Sequence, residues 1–462
     1  MKLLLPLFLL SVSSSLFATD LTVTNVRLDD SDSTIKATIR WSNAWKNSRN
    51  HDAAWVFMKA RNRRGQVNHI DLKRITPRVF QSNVPVTMQF PSDSIGVFLY
   101  ASQLYRGNIE IVIAIETSAE SWNALKSLQE VNMYAIEMVY IPEGPFTLGE
   151  PGTDYLQYGG LYMSDDKGNP KGLFKINSDD VAIPVGPNDN ALYYQANTQS
   201  RYEGDQKGLI PPTFPTGYKA FYIMKYEPTQ GEYVSFLNTL SGQQSQHRAN
   251  FGGKGYYQNR GSIRIEDNTY VADHPDRPCN FMSWDDAMAY ADWAGLRPLT
   301  ELEFVKAARG PGAPQKNEYP WNTGSYDRLR RVMKASGDME KPDEKNLNDG
   351  NKEEYGASYY WVMDLAGSMW ERVVSIGSEK GRAFLGTHGD GKITGYGFAD
   401  IDNWPSGVDG SGFGYRGGGY YEYPMDFTEF NPYSPIAYRR FGGWAGGNRT
   451  EAYGARFGRT SE

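Results

Sequence analysis

The sequence predicts an α+β protein in two parts, a small antiparallel β-sandwich followed by a larger, irregular unit. Apolar and polar residues alternate along the N-terminal part, a pattern typical of strands with one buried face. Further along, two segments carry complete helix-capping signals. At 462 residues the chain is longer than one hydrophobic core usually organises, and its 14% aromatic residues and 48 glycines favour loop-rich packing over long helices.

The first residues have the pattern of a secretory signal peptide. Lys2 precedes an apolar run over residues 3–10, and small residues precede Ala18. We therefore expect a signal peptide over residues 1–18 and export to the periplasm, the outer surface or the medium. No later stretch of about 18 apolar residues occurs, so the sequence predicts no transmembrane segment.

Charge and cysteine content narrow the possible partners. The formal net charge is −6, and the two short basic runs, at residues 61–64 and 328–334, have neither a recognition motif nor stacking aromatics beside them. Nucleic acid is therefore not an expected partner. The single cysteine, Cys279, cannot form an internal disulfide.

Residues 19–117 are predicted to form the β-sandwich, of immunoglobulin-like type. Ile35, Ala37, Ile39 and Trp41 alternate with polar residues, and the isoleucines of residues 109–115 do the same. Turn-forming residues separate these segments. Residues 118–136 are predicted to be a linker or short helix, after which the second unit begins at residue 137.

The second unit is predicted to combine a long insertion with two helices. Residues 150–208 are rich in glycine, asparagine, aspartate and tyrosine without clear periodicity, so we interpret them as an insertion. Ser283 can cap a helix with Asp286 as its reciprocal partner, and Thr300 with Glu303 repeats the scheme. Glycines at positions 295 and 310 are expected to end these helices.

Five segments of the second unit, in order, carry a resemblance to a known family: MVYIPEGPFTLGE (138–150), FYIMKYEPTQGEYVSFLN (221–238), HPDRPCNFMSWDDAMAYADWAGLRPLTELEFVKAARG (274–310), WVMDLAGSMWERV (361–373) and YGARFGR (453–459). Over about residues 137–459 the chain resembles the formylglycine-generating enzyme, or sulfatase-modifying factor, family. The resemblance implies an irregular variant of the C-type lectin fold. The N-terminal part resembles, more weakly, the module that often precedes this domain in exported bacterial proteins.

The resemblance also implies where a copper site would lie. Enzymes of this family oxidise a substrate cysteine to formylglycine and hold copper between two cysteines that follow an Arg-Gly-Gly-Ser type strand. That strand corresponds to residues 416–419, so the cysteine positions fall near Glu422 and Asp426. Oxygen donors do not suit Cu(I), so we expect neither copper nor catalytic residues here. Cys279 lies outside this segment and is predicted to be a small buried residue.

A related branch of the family uses a three-histidine iron site for sulfur transfer to histidine betaines. None of the five histidines of this chain stands in a His-x-x-x-Glu-His arrangement, and all are widely separated in sequence: His51, His69, His247, His274 and His388. We therefore expect surface or packing roles for them rather than iron chemistry.

The loop at residues 366–371 is a candidate calcium site. The resemblance implies that Ala366, Gly367 and Met369 would offer backbone carbonyls and Glu371 a carboxylate, donors that a hard divalent cation prefers. Ser368 stands where the family usually has asparagine, and Arg372 where it usually has tryptophan. The alternative interpretation is a core aromatic residue beside a buried, hydrogen-bonded Glu371, and the sequence does not decide between the two.

A candidate binding face lies near the C-terminus. Tyr420, Tyr421, Arg440 and Trp444 belong to a glycine-rich segment, and tyrosine, tryptophan and arginine are the residues most frequent at binding hot spots. The expected ligand is an unidentified protein, peptide or glycan. Packing of the same rings in the core is the alternative.

Together these observations predict an exported, non-catalytic relative of the formylglycine-generating enzymes that acts as a binding or scaffold module at the bacterial envelope. The alternative is an oxidoreductase of the sulfatase-modifying type with a re-equipped site. A purely structural envelope component is the third possibility, and it would bind no soluble ligand.

Overall fold

A computed structural model describes residues 21–72, 75–117, 119–196, 204–251, 255–334, 336–407, 411–419, 433–446 and 449–462. The predicted signal peptide, two residues of the predicted binding face (Tyr420 and Tyr421) and the two cysteine-equivalent positions (Glu422 and Asp426) lie outside these residues. The described chain is an α+β protein whose sheets are mostly antiparallel and whose helices are short.

The N-terminal part is built almost entirely of antiparallel strands. Its elements are β1 (Leu21–Asp29), β2 (Thr34–Lys46), β3 (Asp52–Arg61), β4 (Val67–His69), β5 (Ile75–Ser82), β6 (Val86–Gln89), β7 (Gly96–Ala101), β8 (Tyr105–Thr117), α1 (Ala119–Lys126) and β9 (Glu130–Ile141). One sheet has the order β1-β2-β8-β5. Its predicted inward residues, Ile35, Ala37, Ile39 and Trp41, are buried in a core that also contains side chains from β3, β7 and β9, as predicted. The intervening Lys36 and Thr38 are buried too, so the prediction that only one face is buried is wrong for this part of β2.

The second unit adds an irregular series of short elements. The first are β10 (Phe146–Leu148), a 3-10 helix (Asp154–Tyr158), β11 (Tyr162–Ser164), β12 (Pro170–Gly172), β13 (Phe174–Ile176), β14 (Ile183–Val185), β15 (Leu192–Tyr193) and β16 (Gly208–Ile210). Five of these strands form a small sheet of order β12-β11-β15-β14-β16. The described part of the predicted insertion therefore has a sheet of its own.

The remaining elements surround the candidate site. They are β17 (Phe221–Met224), α2 (Gln230–Leu237), α3 (Gly242–Arg248), β18 (Ile263–Glu266), β19 (Thr269–Ala272), α4 (Trp284–Trp293), β20 (Arg297–Pro298), α5 (Glu301–Arg309), β21 (Val332–Met333), β22 (Met339–Glu340), a 3-10 helix (Glu344–Asn346), α6 (Lys352–Tyr355), β23 (Trp370–Val374), α7 (Glu379–Arg382), β24 (Phe413–Arg416), β25 (Tyr453–Ala455) and β26 (Phe457–Thr460).

The helices α4 and α5 begin where the sequence predicts. Ser283 accepts a hydrogen bond from the backbone N–H of Asp286, whose carboxylate accepts from the N–H of Ser283. Thr300 and Glu303 form the same reciprocal pair at α5. Both capping boxes are therefore confirmed, and they fix the two helices that support the second core.

One eight-stranded sheet serves both parts of the protein. Its order is β20-β26-β17-β9-β3-β7-β6, with β4 paired to β3. Side chains alternate across β3, so Val56 packs in the N-terminal core while Trp55 and Phe57 pack in the second core. The predicted linker, residues 118–136, contains α1 and the first half of β9, and the predicted boundary at residue 137 falls inside β9.

Side chains beyond this sheet also join the two parts. The rings of Trp45 and Trp361 lie 4.8 Å apart, and the Arg49 guanidinium contacts the Asp349 carboxylate at 2.9 Å. The Asn50 side-chain amide donates to the Tyr360 carbonyl at 3.0 Å. The N-terminal strands are thus packed directly against the elements that carry the site.

Candidate functional site

A cleft of about 430 Å³ opens in the second unit, beside the predicted calcium loop. Its walls come from residues 226–229 after β17, residues 273–278 after β19, the β21–β22 hairpin with Arg331 and Lys341 beside it, and Asp364. The lining combines charged side chains with prolines and one tyrosine, so the cleft can receive a charged group together with an apolar stem.

Glu227 is a buried carboxylate in the wall of this cleft. It is 2% exposed, and it accepts hydrogen bonds from the Ser368 hydroxyl at 2.6 Å and from the backbone N–H of Met369 at 2.9 Å. Burial, with the nearby carboxylates of Glu371 and Asp364, raises the pKa of Glu227 well above its ordinary value. In the described part of the chain, no lysine, arginine or histidine nitrogen lies within 4.0 Å of this carboxylate.

The two neighbouring acids, in contrast, each have a guanidinium partner. Asp364 receives two hydrogen bonds of 2.7 Å from Arg331, and Glu371 is held by Arg456. Three buried carboxylates therefore share two guanidinium groups. Arg456 attracts Glu227 electrostatically without a contact within 4.0 Å, so a cation in direct contact with Glu227 would be favourable.

The predicted calcium loop is tightly wound around Glu227. Asp364, Gly367 and Ser368 have φ angles of 60°, 87° and 62°, a left-handed backbone that non-glycine residues adopt only where surrounding contacts impose it. Among those contacts are the two hydrogen bonds that Glu227 accepts, from Ser368 and from Met369. Glu227 therefore supplies some of the contacts that order this loop, as a bound ion could also do.

The predicted calcium ligand Glu371 already has a partner. Arg456 is fully buried, its Nε lies 2.9 Å from both carboxylate oxygens of Glu371, and its Nη2 lies 2.7 Å from Oε1. This pairing raises the pKa of Arg456. Trp370 is buried beside it. An ion at the loop would have to share Glu371 with Arg456, and the calcium site stays a prediction.

The rims of the cleft are joined by charged side chains. Arg277, from the segment after β19, donates to the Asp338 carboxylate of the β21–β22 hairpin at 2.8 Å. The His274 ring lies 3.5 Å from the same carboxylate, which also accepts from the Ser336 hydroxyl. These contacts hold the two rims together and lower the pKa of Asp338, with the Arg277 hydrogen bond as the main cause.

The described half of the predicted binding face lies next to this region. Arg440 is 6% exposed and its guanidinium lies 5.8 Å from the Phe441 ring centre. Trp444 is half-buried, 5.3 Å from the same ring, and Phe441 in turn packs on Trp370 at 5.0 Å. The structure thus brings Arg440 and Trp444 together around Phe441, and the face stays a prediction.

The donor set that remains in the chain does not fit a paired-cysteine copper site. Cys279 is 2% exposed, between β19 and α4, and its backbone N–H donates to the Pro228 carbonyl. Burial, mainly, raises the pKa of its thiol well above the ordinary value, which removes the thiolate that Cu(I) would need. With one cysteine in the whole sequence, a two-thiolate site cannot form within one chain.

The described parts of the chain, with their short helices and antiparallel sheets, define an α+β protein with a polar cleft. The sequence profile of the sulfatase-modifying factor enzyme 1-like domain matches residues 125–435. The chain therefore belongs to the sulfatase-modifying factor family, as the sequence predicts. No helix in the described segments is both long and apolar enough to cross a membrane.

Individual relatives match over shorter stretches. A formylglycine-generating enzyme of Thermomonospora curvata is 32% identical over 105 residues, which are 22% of this chain and 34% of that protein. A hercynine oxygenase of Mycobacterium tuberculosis is 32% identical over 124 residues, 24% of this chain and 29% of that protein. The matches thus span about a third of these relatives. A solved structure concerning Fap1 fimbriae of Streptococcus parasanguinis covers 39% of this chain and 76% of its own, at 11% identity and a TM-score of 0.16, too low to support an argument.

Sequence reasoning missed Glu227, Arg331 and Asp364 as site residues. Glu227 follows the buried strand β17 and precedes Thr229, which caps α2 in a reciprocal pair with Glu232. A charged residue at the end of an apolar strand, inside a segment that resembles the family, was the available signal. The residues that surround Glu227 are distant in sequence, so the sequence near Glu227 does not show that no basic side chain contacts it.

Proposed function

We propose that this protein is an exported, non-catalytic member of its family that binds a partner at the bacterial envelope, as a binding or scaffold module. The observation that supports the non-catalytic part is the donor set: one buried, protonated thiol in place of a cysteine pair. The apolar run before Ala18 supports export. The C-type-lectin-like character of the second unit is part of the same proposal.

The cleft beside Glu227 is the binding site in this proposal. A guanidinium or ammonium group of a protein or peptide partner would pair directly with Glu227, and the prolines of residues 273–278 would contact its stem. Trp444, half-buried beside Phe441, would be the accessible part of a second contact surface near Trp370, with the buried Arg440 packed behind it. This arrangement needs no chemistry beyond charge pairing and packing.

The proposal includes one possible calcium site, at the 366–371 loop. Carbonyls of Ala366, Gly367 and Met369 would hold the ion, and Glu371 would give up one of its contacts with Arg456. Because that exchange replaces an existing buried ion pair, the affinity would be weak.

The test is a calorimetric titration with N-acetylarginine methylamide, using the neutral citrulline analogue as the control ligand. We expect binding near the millimolar range for the wild type and at least tenfold weaker binding for Glu227→Gln, since a charge-assisted hydrogen bond is worth about 1.5–3 kcal/mol. Binding should strengthen as pH rises, because only the ionised Glu227 carboxylate can pair with the guanidinium and burial raises its pKa. Equal affinity of wild type and Glu227→Gln would contradict the proposed site.

A further inference from the structure

A second cleft lies beside α4 and shares no lining residue with the cleft at Glu227. It has a volume of about 440 Å³ and is formed by the first turns of α4 and by residues 398–406. Its lining combines three aspartates with apolar and aromatic side chains: Asp285, Met288, Phe398, Asp400, Ile401, Asp402 and Trp404 among them. We refer to it as the α4 cleft.

The α4 cleft carries negative charge that no direct ion pair among the described residues neutralises. Its lining contains no lysine, arginine or histidine. Among the described residues, no basic nitrogen lies within 4.0 Å of the carboxylates of Asp285, Asp400 or Asp402. The neighbouring Asp390 is different, because Lys392 contacts it at 3.1 Å. Lys392 and Arg449 act on Asp400 and Asp285 only at longer range, so the charge of the cleft is partly compensated.

A buried acid lies next to Asp400 of the cleft. Asp292, at the end of α4, is fully buried, and its carboxylate lies within 4.8 Å of those of Asp390 and Asp400. It accepts backbone N–H groups from both residues, at 3.0 and 3.1 Å. Burial, with the two neighbouring acids as smaller contributions, raises the pKa of Asp292 to about 7. A cation bound above it would reduce this repulsion.

The cleft wall is held in place although it has no regular secondary structure. The described part of the connection from α7 to β24, residues 383–407, contains no helix or strand. Asp292 clamps its backbone at two points, the Trp284 indole donates to the Pro405 carbonyl at 2.7 Å, and the Trp404 indole donates to the Thr387 carbonyl at 2.9 Å. Long irregular connections of this kind usually serve a function, and a fixed one is preorganised for binding.

We propose that the α4 cleft binds a basic segment of a partner protein, with a lysine or arginine head group at Asp285, Asp400 and Asp402 and its stem along Phe398 and Trp404. The apolar wall favours an organic cation over a metal ion, because a metal gains from oxygen ligands alone whereas a long basic side chain also buries its methylenes. This site goes beyond the proposed function, since it does not involve Glu227.

The test is a calorimetric titration of the full chain with N-acetyl-tetra-arginine amide at low salt, with the tetra-citrulline peptide as the neutral control. We expect Asp400→Asn/Asp402→Asn to bind roughly five- to twentyfold more weakly, because each partly exposed ion pair contributes up to roughly fivefold. Asp166→Asn/Asp327→Asn removes the same charge from exposed positions elsewhere and should leave the affinity unchanged. Asp285→Asn provides a second variant within the cleft.

The same titration separates this inference from the proposed function. If Glu227→Gln weakens binding and the cleft variants match the wild type, the inference fails and the proposed site stands. If the cleft variants alone weaken binding, the inference stands and the proposed site fails. Unchanged affinity in all variants, or equal binding of the citrulline peptide, would overturn both.

Discussion

Replacing Arg456 with leucine should destabilise the protein more than any exposed charge substitution. Arg456 is fully buried, makes three contacts with the Glu371 carboxylate, and donates to the carbonyls of Met224, Lys225 and Met363 at 2.8–2.9 Å. Removing one partner of a buried ion pair costs about 3–5 kcal/mol, and each buried carbonyl left without a donor adds about 1 kcal/mol or more. We therefore expect Arg456→Leu to lose at least about 4 kcal/mol.

Urea unfolding followed by circular dichroism measures this loss. Arg40→Leu, which removes an exposed pair with Glu110, is the matched control and should not change stability beyond experimental error. Glu371→Leu/Arg456→Leu should be less destabilised than Arg456→Leu alone, because the double variant leaves no buried charge unpaired. A loss below about 1 kcal/mol for Arg456→Leu would refute the assignment of Arg456 as the buried counter-charge of Glu371.

Three further predictions concern titration, cooperativity and calcium. Burial raises the pKa of Glu232 from 4.5 to about 7, so the folded state binds this proton more tightly than the unfolded state and stability falls as pH rises from about 5 to 8. Glu232→Gln keeps the capping box, so in urea unfolding its free energy should match that of the wild type at pH 5 and exceed it at pH 8 by up to about 3 kcal/mol. Trp45→Ala should lower the free energy of unfolding by about 3–5 kcal/mol. Calorimetry should still show one unfolding transition, because both cores share one sheet, and two separate transitions would contradict this coupling. Addition of 5 mM CaCl2 should raise Tm by only about 1 °C, as a dissociation constant near 1 mM implies for a chain of 462 residues. A rise several times larger would contradict shared use of Glu371 by Arg456 and the ion.

The sequence predicted those elements whose signals are complete within a few neighbouring residues. The Ser283–Asp286 and Thr300–Glu303 pairs predicted the starts of α4 and α5, because a capping box is complete within four residues. Period-two alternation predicted the buried face of β2 for the same reason.

The shared sheet was not predicted because β3 does not alternate. Its residues are buried on both faces, one in each core, so it has the continuous apolar run of a central strand. The site was missed for a different reason. The charges around Glu227 come from residues more than one hundred positions away, such as Arg456 and Asp364. No local sequence pattern shows that these residues lie close to it.

The most direct test of the central claim, a non-catalytic member of the family, is an oxygen-uptake measurement. The chain purified from Thr19 would be incubated with stoichiometric Cu(I) and a cysteine-containing peptide, with bound metal determined by mass spectrometry on the same sample. We predict no retained copper and no peptide-dependent oxygen consumption, because the one thiol is buried and protonated. Stoichiometric copper together with turnover of the peptide would contradict the account and show that other residues supply the metal site.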